Sequence, residues 1–415
     1  MFCAEKTKRN IERITEITNE DSQSFNHFIS DSPWCPQELM NKVSKNVNRD
    51  LGDPKLQALN IDESSTKKAG KSSVGVSRQY NGNEGKRENS QTGVFASLGR
   101  DNLVCLTQAK LFLPDEWIED AQRCKKAGIP KNEIVKKSKV DIAIEIIRNL
   151  DEQGIEYGWV AGDSLYGNGY KFGKALEELG KKFVLDVRSN QYIYLEKPEI
   201  RVKKRRKIKE ETKEKRFEVV NGVKPTRVDA YVQTIEKQEY TLVHWRKGTK
   251  GWLRAMFCRK EIWVWDESLE QPEKRILLIR HDENKKKYSL TNFTKETPIE
   301  ELAFMQGQRY WIERSFQDNK KELGMTDYQV RKYLAWHHHM ALVMMAMHFV
   351  IKKRIENEET IPLLVVRDIR LQLISILING SVRIEKEIIN MITRHTQRKK
   401  DSERYFKRKK TLLLI

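Results

Sequence analysis

Apolar residues along this chain recur at two different periods, and the switches between them outline its elements. Ile11, Ile14 and Ile17 repeat at a helical interval, and Phe25, Phe28 and Ile29 form a second short apolar face before Ser32-Pro33. The pattern predicts helices over residues 1–50, a segment too small to stand alone, which therefore packs on the next part of the chain. Four short apolar runs come next: Leu56–Ile61, Val74–Tyr80, Gly93–Ser97 and Leu103–Phe112. They predict a meander of strands, the first ending on Asp62-Glu63. Residues 134–150 place Val140, Ala143, Ile144, Ile147 and Leu150 on one helical face. A strand over Tyr157–Ala161 ends at Gly162-Asp163, a helix spans Lys171–Leu179, and a strand covers Lys182–Val187. Strands alternating with helices predict a mixed α/β sheet.

The pattern then breaks. Residues 201–216 hold ten basic and three acidic side chains with almost nothing apolar. Strand-like runs follow at Arg227–Val232, Tyr240–Trp245, Leu253–Phe257, Ile262–Trp265, Ile276–Ile279 and Tyr288–Asn292. Four of the nine tryptophans, Trp245, Trp252, Trp263 and Trp265, fall among them. Thr297-Pro298 opens helical structure. The stretch Gln306–Lys320 predicts a helix of about four turns, packed through Ile312, Phe316 and Leu323. Helix continues from Tyr333 to Ile351, and the tail ends in Arg398–Lys410, with eight basic and two acidic residues. The division is a helical N-terminal segment (1–50), a first α/β part (51–190), a basic loop with a β-rich insertion (191–280), a second part carrying the late helix (281–355) and a helical basic tail (356–415).

Charge sharpens this picture. Lysine and arginine total 78 against 59 acids, a net charge of +19, which points to a polyanionic partner. The basic runs at 201–216 and 398–410 are candidate phosphate contacts. The five cysteines include no C-x-x-C pair, which argues for reduced thiols and against a disulfide framework or a structural zinc. No charged-then-apolar leader opens the chain, and no run of 18 apolar residues occurs, so a soluble, cytoplasmic protein without membrane contact is expected. His337-His338-His339 point about 100° apart on a helix and cannot share one metal; local polar contacts are expected of them.

The chemistry lies in the acids. Asp62 and Asp163 each come after an apolar strand, and ligands of α/β sheets collect at that edge. Glu313 lies on the late helix, where at about 100° per residue Arg309, Glu313 and Lys320 fall within an arc of roughly 40°. A carboxylate flanked by two bases suits a metal ion meeting a phosphate. Three converging carboxylates repel one another unless divalent cations lie between them, and a magnesium pair so held promotes phosphodiester cleavage or transfer.

Gly162-Asp-Ser-Leu-Tyr-Gly167 resembles the G-D-x-x-Y-G block around the second aspartate of bacterial insertion-sequence transposases of the DDE class. Asp62–Tyr80 resembles their first-aspartate block, and Arg309, Glu313 and Lys320 match the R-(3)-E-(6)-K part of the Y-R-E-K signature of the insertion sequence four superfamily. Gly324–Arg331 and Trp336–Leu342 resemble the segment after that signature in the insertion sequence 701 branch. The likeness covers roughly residues 28–350 in four ordered blocks. It implies an α/β, RNase H-like mixed sheet interrupted by a β-rich insertion, with helical N- and C-terminal segments. It further implies cleavage at the element's ends and transfer of the freed strands to target DNA. Asp62, Asp163 and Glu313 would be catalytic and would hold two Mg2+ ions, with Mn2+ as substitute; Arg309 and Lys320 would steady phosphates, and Trp252 and Tyr310 would stack a flipped base. The implied partners are terminal inverted-repeat DNA and target DNA, bound by a homodimer at the bacterial nucleoid. The chain departs from the family at Gln306, where tyrosine is usual, at Ser65, where glycine is usual, and in an N-terminal region shorter than the family's DNA-binding segment, as in a truncated copy. The rival expectations are a DNA-binding derivative that competes at the ends, and an RNase H-like nuclease.

Overall fold

The computed structural model describes Thr15 and residues 21–411, apart from 83, 203–216, 249–250, 267–268, 283–284, 362 and 380–383. The Ile11–Ile17 face and most of the basic run at 201–216 lie outside the described residues. Two compact units emerge: Met1–Tyr157, Thr249–Gly251 and Tyr310–Ile415 form the first, and Gly158–Gly248 with Trp252–Arg309 form the second.

The first unit begins with helices α1 (Ser22–Ser30) and α2 (Pro36–Asp50). Asp21 caps α1 by accepting the Ser24 amide, and Pro36 opens α2, where a missing N–H costs nothing. Met40, Val43 and Val47 line the buried face of α2, and Ser44 donates to the Thr107 carbonyl, so the N-terminal segment does pack on the strands after it. Strands β1 (Ala58–Lys67), β2 (Ser77–Asn81), β3 (Lys86–Arg100) and β4 (Leu103–Leu111) form an antiparallel array around β3. β1, β2 and β4 all pair with β3. Gly93 in β3 leaves room for the Trp336 ring: a Cβ there would come within 2.8 Å of it. α3 (Lys139–Glu152) starts with a capping box between Ser138 and Asp141.

The second unit is built on one mixed sheet. β5 (Trp159–Gly162) runs parallel to β6 (Phe183–Val187), with α4 (Lys171–Glu178) between them in sequence. β7 (Thr241–Gly248), β8 (Gly251–Val264), β9 (Glu273–His281) and β10 (Lys286–Thr291) extend the same sheet in the order β7-β8-β9-β10-β6-β5. The tryptophan-bearing strands therefore continue the sheet that β5 and β6 begin. Helix α5 (Ile299–Gln308) packs on β7, where Gly307 meets the Trp245 ring. Two expectations need correction. Leu253–Phe257 and Ile262–Trp265 belong to one 14-residue strand, β8. Residues 228–232 form a short helix rather than a strand, because Val228 and Val232, spaced by four, bury one helical face while Arg227 clamps Asp229.

The C-terminal elements return to the first unit: α6 (Tyr310–Glu322), α7 (Tyr333–Glu356), α8 (Val366–Asn379) and α9 (Ile384–Thr411). α7 is long and apolar enough to cross a bilayer, which the absence of an 18-residue apolar run had not suggested; its most apolar window is 72% buried within the protein, as in a core helix. His337 faces the Tyr333 carbonyl, His338 the carbonyls of Ile29 and Trp34, and His339 that of Gly324. The three rings thus make separate polar contacts; that of His337 is local, as expected, whereas His338 reaches back to the N-terminal segment.

Candidate active site

In the first unit Asp62 lies on β1. That strand does not end at Ile61 as its apolar run suggests; the ladder continues to Lys67, and Asp62 sits mid-strand opposite Phe95. Polar residues sustain it there because their partners lie across the ladder, with Ser65 and Thr92 hydroxyls 2.8 Å apart and both buried. Asp62 accepts the Glu63 amide at 2.8 Å, whereas the Glu63 carboxylate is tied to Lys139 at 2.9 Å. Both acids are half-buried.

Glu313 and Lys320 both stand on α6, seven residues apart and therefore on one face. Glu313 is exposed in the first turn, where the helix dipole favours a carboxylate. Burial pushes the Lys320 ammonium below the ordinary lysine range, and the charge of Asp62 opposes that shift, which places lysine and aspartate in one electrostatic neighbourhood. The other α6 acids are engaged elsewhere: Asp318 with Arg314 and Glu322 with Arg370. Tyr310, 41% exposed, begins the helix with its ring 5.1 Å from that of Trp311.

The helix predicted over 306–320 is in fact two, α5 and α6, separated at Arg309. The 40° arc thus keeps only Glu313 and Lys320. Arg309 belongs to the second unit, where its Nε donates to Asp186 on β6 at 2.8 Å. Gln306 also turns inward: it is 5% exposed and donates to Ser289 Oγ, which in turn donates to Asp186 at 2.7 Å. Asp186 thereby gathers Arg309 and, through Ser289, Gln306. Sequence reasoning passed over Asp186, although a lone acid inside Phe-Val-Leu-Asp-Val was a usable signal.

Asp163 comes directly after β5, as its strand-end position predicts. Its carboxylate caps the helical turn Ser164–Gly167 by accepting the Leu165 amide at 2.8 Å. The glycine closing that turn has a steric cause, since a Cβ on Gly167 would overlap the carbonyl oxygen of Asp186. Trp252 is 55% exposed, whereas Trp245 is buried and Trp263 and Trp265 are half-buried. In the tail, Arg398, Lys399, Lys400 and Arg404 are exposed on α9.

Asp62, Asp163 and Glu313 each offer carboxylate oxygens, the donor type that magnesium and manganese take. Asp62 and Glu313 belong to the first unit and Asp163 to the second. Within each unit taken alone, no group of three or more His, Cys, Asp or Glu among the described residues is placed to hold a metal ion. The fit to divalent metal is thus one of donor chemistry.

The family model of the DDE superfamily endonucleases matches residues 1–252, and the chain belongs to that family. It is also 26% identical over 336 residues to a protein of Microchaete diplosiphon named "Probable transposase for insertion sequence element IS701", an overlap covering 79% of this chain and 73% of the other.

Proposed function

We propose that this protein is a transposase that binds the ends of its element and catalyses metal-dependent DNA strand cleavage and transfer on an RNase H-like core. The carrying observation is the family match across residues 1–252, which includes both Asp62 and Asp163. Asp62, Asp163 and Glu313 would hold Mg2+ or Mn2+, which when bound would supply Lewis-acid stabilisation to the phosphodiester chemistry. The protein's own groups do the positioning. Lys320 meets a phosphate next to Asp62, and its partial desolvation strengthens that contact. Arg309 is held by Asp186, so its guanidinium is oriented before DNA arrives. Trp252 and Tyr310 offer exposed rings to an unstacked base. Two copies act together on paired DNA ends.

The test is cleavage of a duplex carrying the element's terminal inverted repeat, with Mg2+ or Mn2+. The native chain should nick at the repeat boundary, and Glu313→Gln should remove nicking while DNA binding persists. Undiminished cleavage by Glu313→Gln overturns the assignment of that residue. Cleavage without preference for the end sequence favours a general nuclease.

A further inference from the structure

Two segments that resemble the family carry no role in the proposed function: the chain after Asp62 and the chain after α6. Within the first unit they face each other across a cleft of about 440 Å3. One wall is residues 67–73 and the other residues 326–331, and the volume lies in the range of small-ligand sites, about 300–1,000 Å3. The lining is mainly polar. It brings Lys67, Lys68 and Arg331 together with the hydroxyls of Ser72 and Ser73; among the lining residues Asp327 is acidic, and Lys67 also pairs with Glu88 at 3.5 Å, a contact that an arriving phosphate would have to share.

The cleft is built rather than incidental. The Val74 amide donates to the Arg331 carbonyl at 3.0 Å, tying the walls together. Asn89 donates to the carbonyls of Lys68 and Gly70, at 2.6 and 3.0 Å, and fixes the turn. The Lys68 ammonium lies 3.6 Å from the Tyr328 ring centroid and donates to the Tyr328 carbonyl at 3.2 Å. Tyr328 is itself locked, accepting from Trp336 Nε1 and hydrogen-bonded to Gln91. A lysine restrained on an aromatic face presents its charge at a fixed place, which lowers the ordering cost of binding an anion.

We infer that this cleft is a phosphate subsite for the DNA backbone, engaging a phosphodiester beyond the cleaved bond through Lys67, Lys68 and Arg331. The inference rests on the transposase reading. Lys67 lies five residues along β1 from Asp62, roughly 17 Å at 3.3 Å per residue. Phosphates of one strand are spaced at about 3.4 Å along a duplex axis, so the contacted group falls within about five nucleotides of the scissile phosphate.

The experiment measures binding of a terminal-repeat duplex to the full chain in EDTA across a salt series, with phosphate-ethylation interference as a second readout. Arg331→Gln is the cleaner variant, because the wall uses the Arg331 carbonyl and not its side chain. Lys67→Gln supplements it, and thermal unfolding checks that both are folded. Each substitution should flatten the slope of log K against log salt by about 0.7–0.9, and the double variant by about twice that. Interference at one phosphate near the cleavage point should vanish with it. If the native chain binds DNA with a steep salt slope and neither variant changes slope or footprint, the subsite is overturned while the transposase reading stands. If the native chain binds no DNA, the transposase reading fails and takes the subsite with it. If inorganic phosphate occupies the cleft in a way that DNA cannot displace, the site serves a free anion and the inference fails.

Discussion

Asp62 and Asp163 are candidates for the same task, yet the protein holds them by different means. Asp163 ends an apolar strand and is fixed by a local device, its carboxylate capping the turn Ser164–Gly167. Asp62 sits inside a strand whose far half is polar and is fixed by long-range pairing with β3. A cap depends on three consecutive residues; a ladder depends on residues some thirty positions away. The first should tolerate change around it and the second should not.

The largest expected effect tests what the two acids share. Asp62→Asn and Asp163→Asn should each lower strand cleavage by at least about 10²–10³-fold, a range typical for losing a group that stabilises reacting charge. At Asp163 stability should hardly move, because asparagine caps a helix about as well as aspartate, and at Asp62 the amide oxygen of asparagine can still accept the Glu63 amide. Gel assays of nicking alongside thermal melts would check both halves. Retained cleavage in either variant removes that residue from the site.

Glycines come next. Gly167→Ala drives a methyl group into the Asp186 carbonyl, whereas Gly93→Ala meets the Trp336 ring. Backbone cannot yield as a ring can, so the first should cost about 3 kcal/mol or more and the second about 1–3 kcal/mol, read from denaturant midpoints. Gly167→Ala should also disturb the Ser289–Asp186–Arg309 chain, which a reduced affinity for DNA would report.

Acid separates the units again. Burial pushes His337 and His339 of the first unit down to about 4. A folded-state pKa below the unfolded value of about 6.5 means that the unfolded chain binds more protons between the two values, so stability is full above pH 6.5 and falls as pH drops toward 4. At pH 5 the loss is about 2 kcal/mol per ring. The described histidines of the second unit, His244 and His281, are exposed. Hydrogen exchange tracked from pH 7 to 5 should show protection failing first in the first unit. Simultaneous loss in both would mean the units unfold as one.

Legibility in the sequence divides the same way, between local and long-range causes. Strand β5, its terminal Asp163, helices α3 and α7 and the packing stripe of α6 are encoded by residues a turn or two apart, and their periods announce them. The extension of β1 through Asp62 was hidden, because Asp-Glu-Ser-Ser-Thr makes a strand only opposite residues 91–95. The inward turn of Gln306 was hidden too: helical geometry alone puts it on the face of Glu313, and only Ser289 on β10 shows why it is buried. Asp186 was visible as an acid in an apolar strand, yet its partners come from positions more than a hundred residues later.

The smallest expected effect probes the ladder beside Asp62. Ser65 and Thr92 share a buried hydrogen bond, and Ser65 stands where the family usually has glycine. Ser65→Ala should cost about 1–3 kcal/mol, since it leaves the Thr92 hydroxyl buried and unsatisfied. Thr92→Val added to it removes the orphan and should recover most of the loss. If the ladder rather than local sequence holds Asp62, the single variant will lower cleavage along with stability and the double variant will restore both. The matching change at the other acid, Asp163→Ala, removes a cap worth about 1 kcal/mol, a loss that Thr92→Val should not recover. Rescue in the first case and none in the second would establish that two aspartates proposed for one reaction are held by unlike physics.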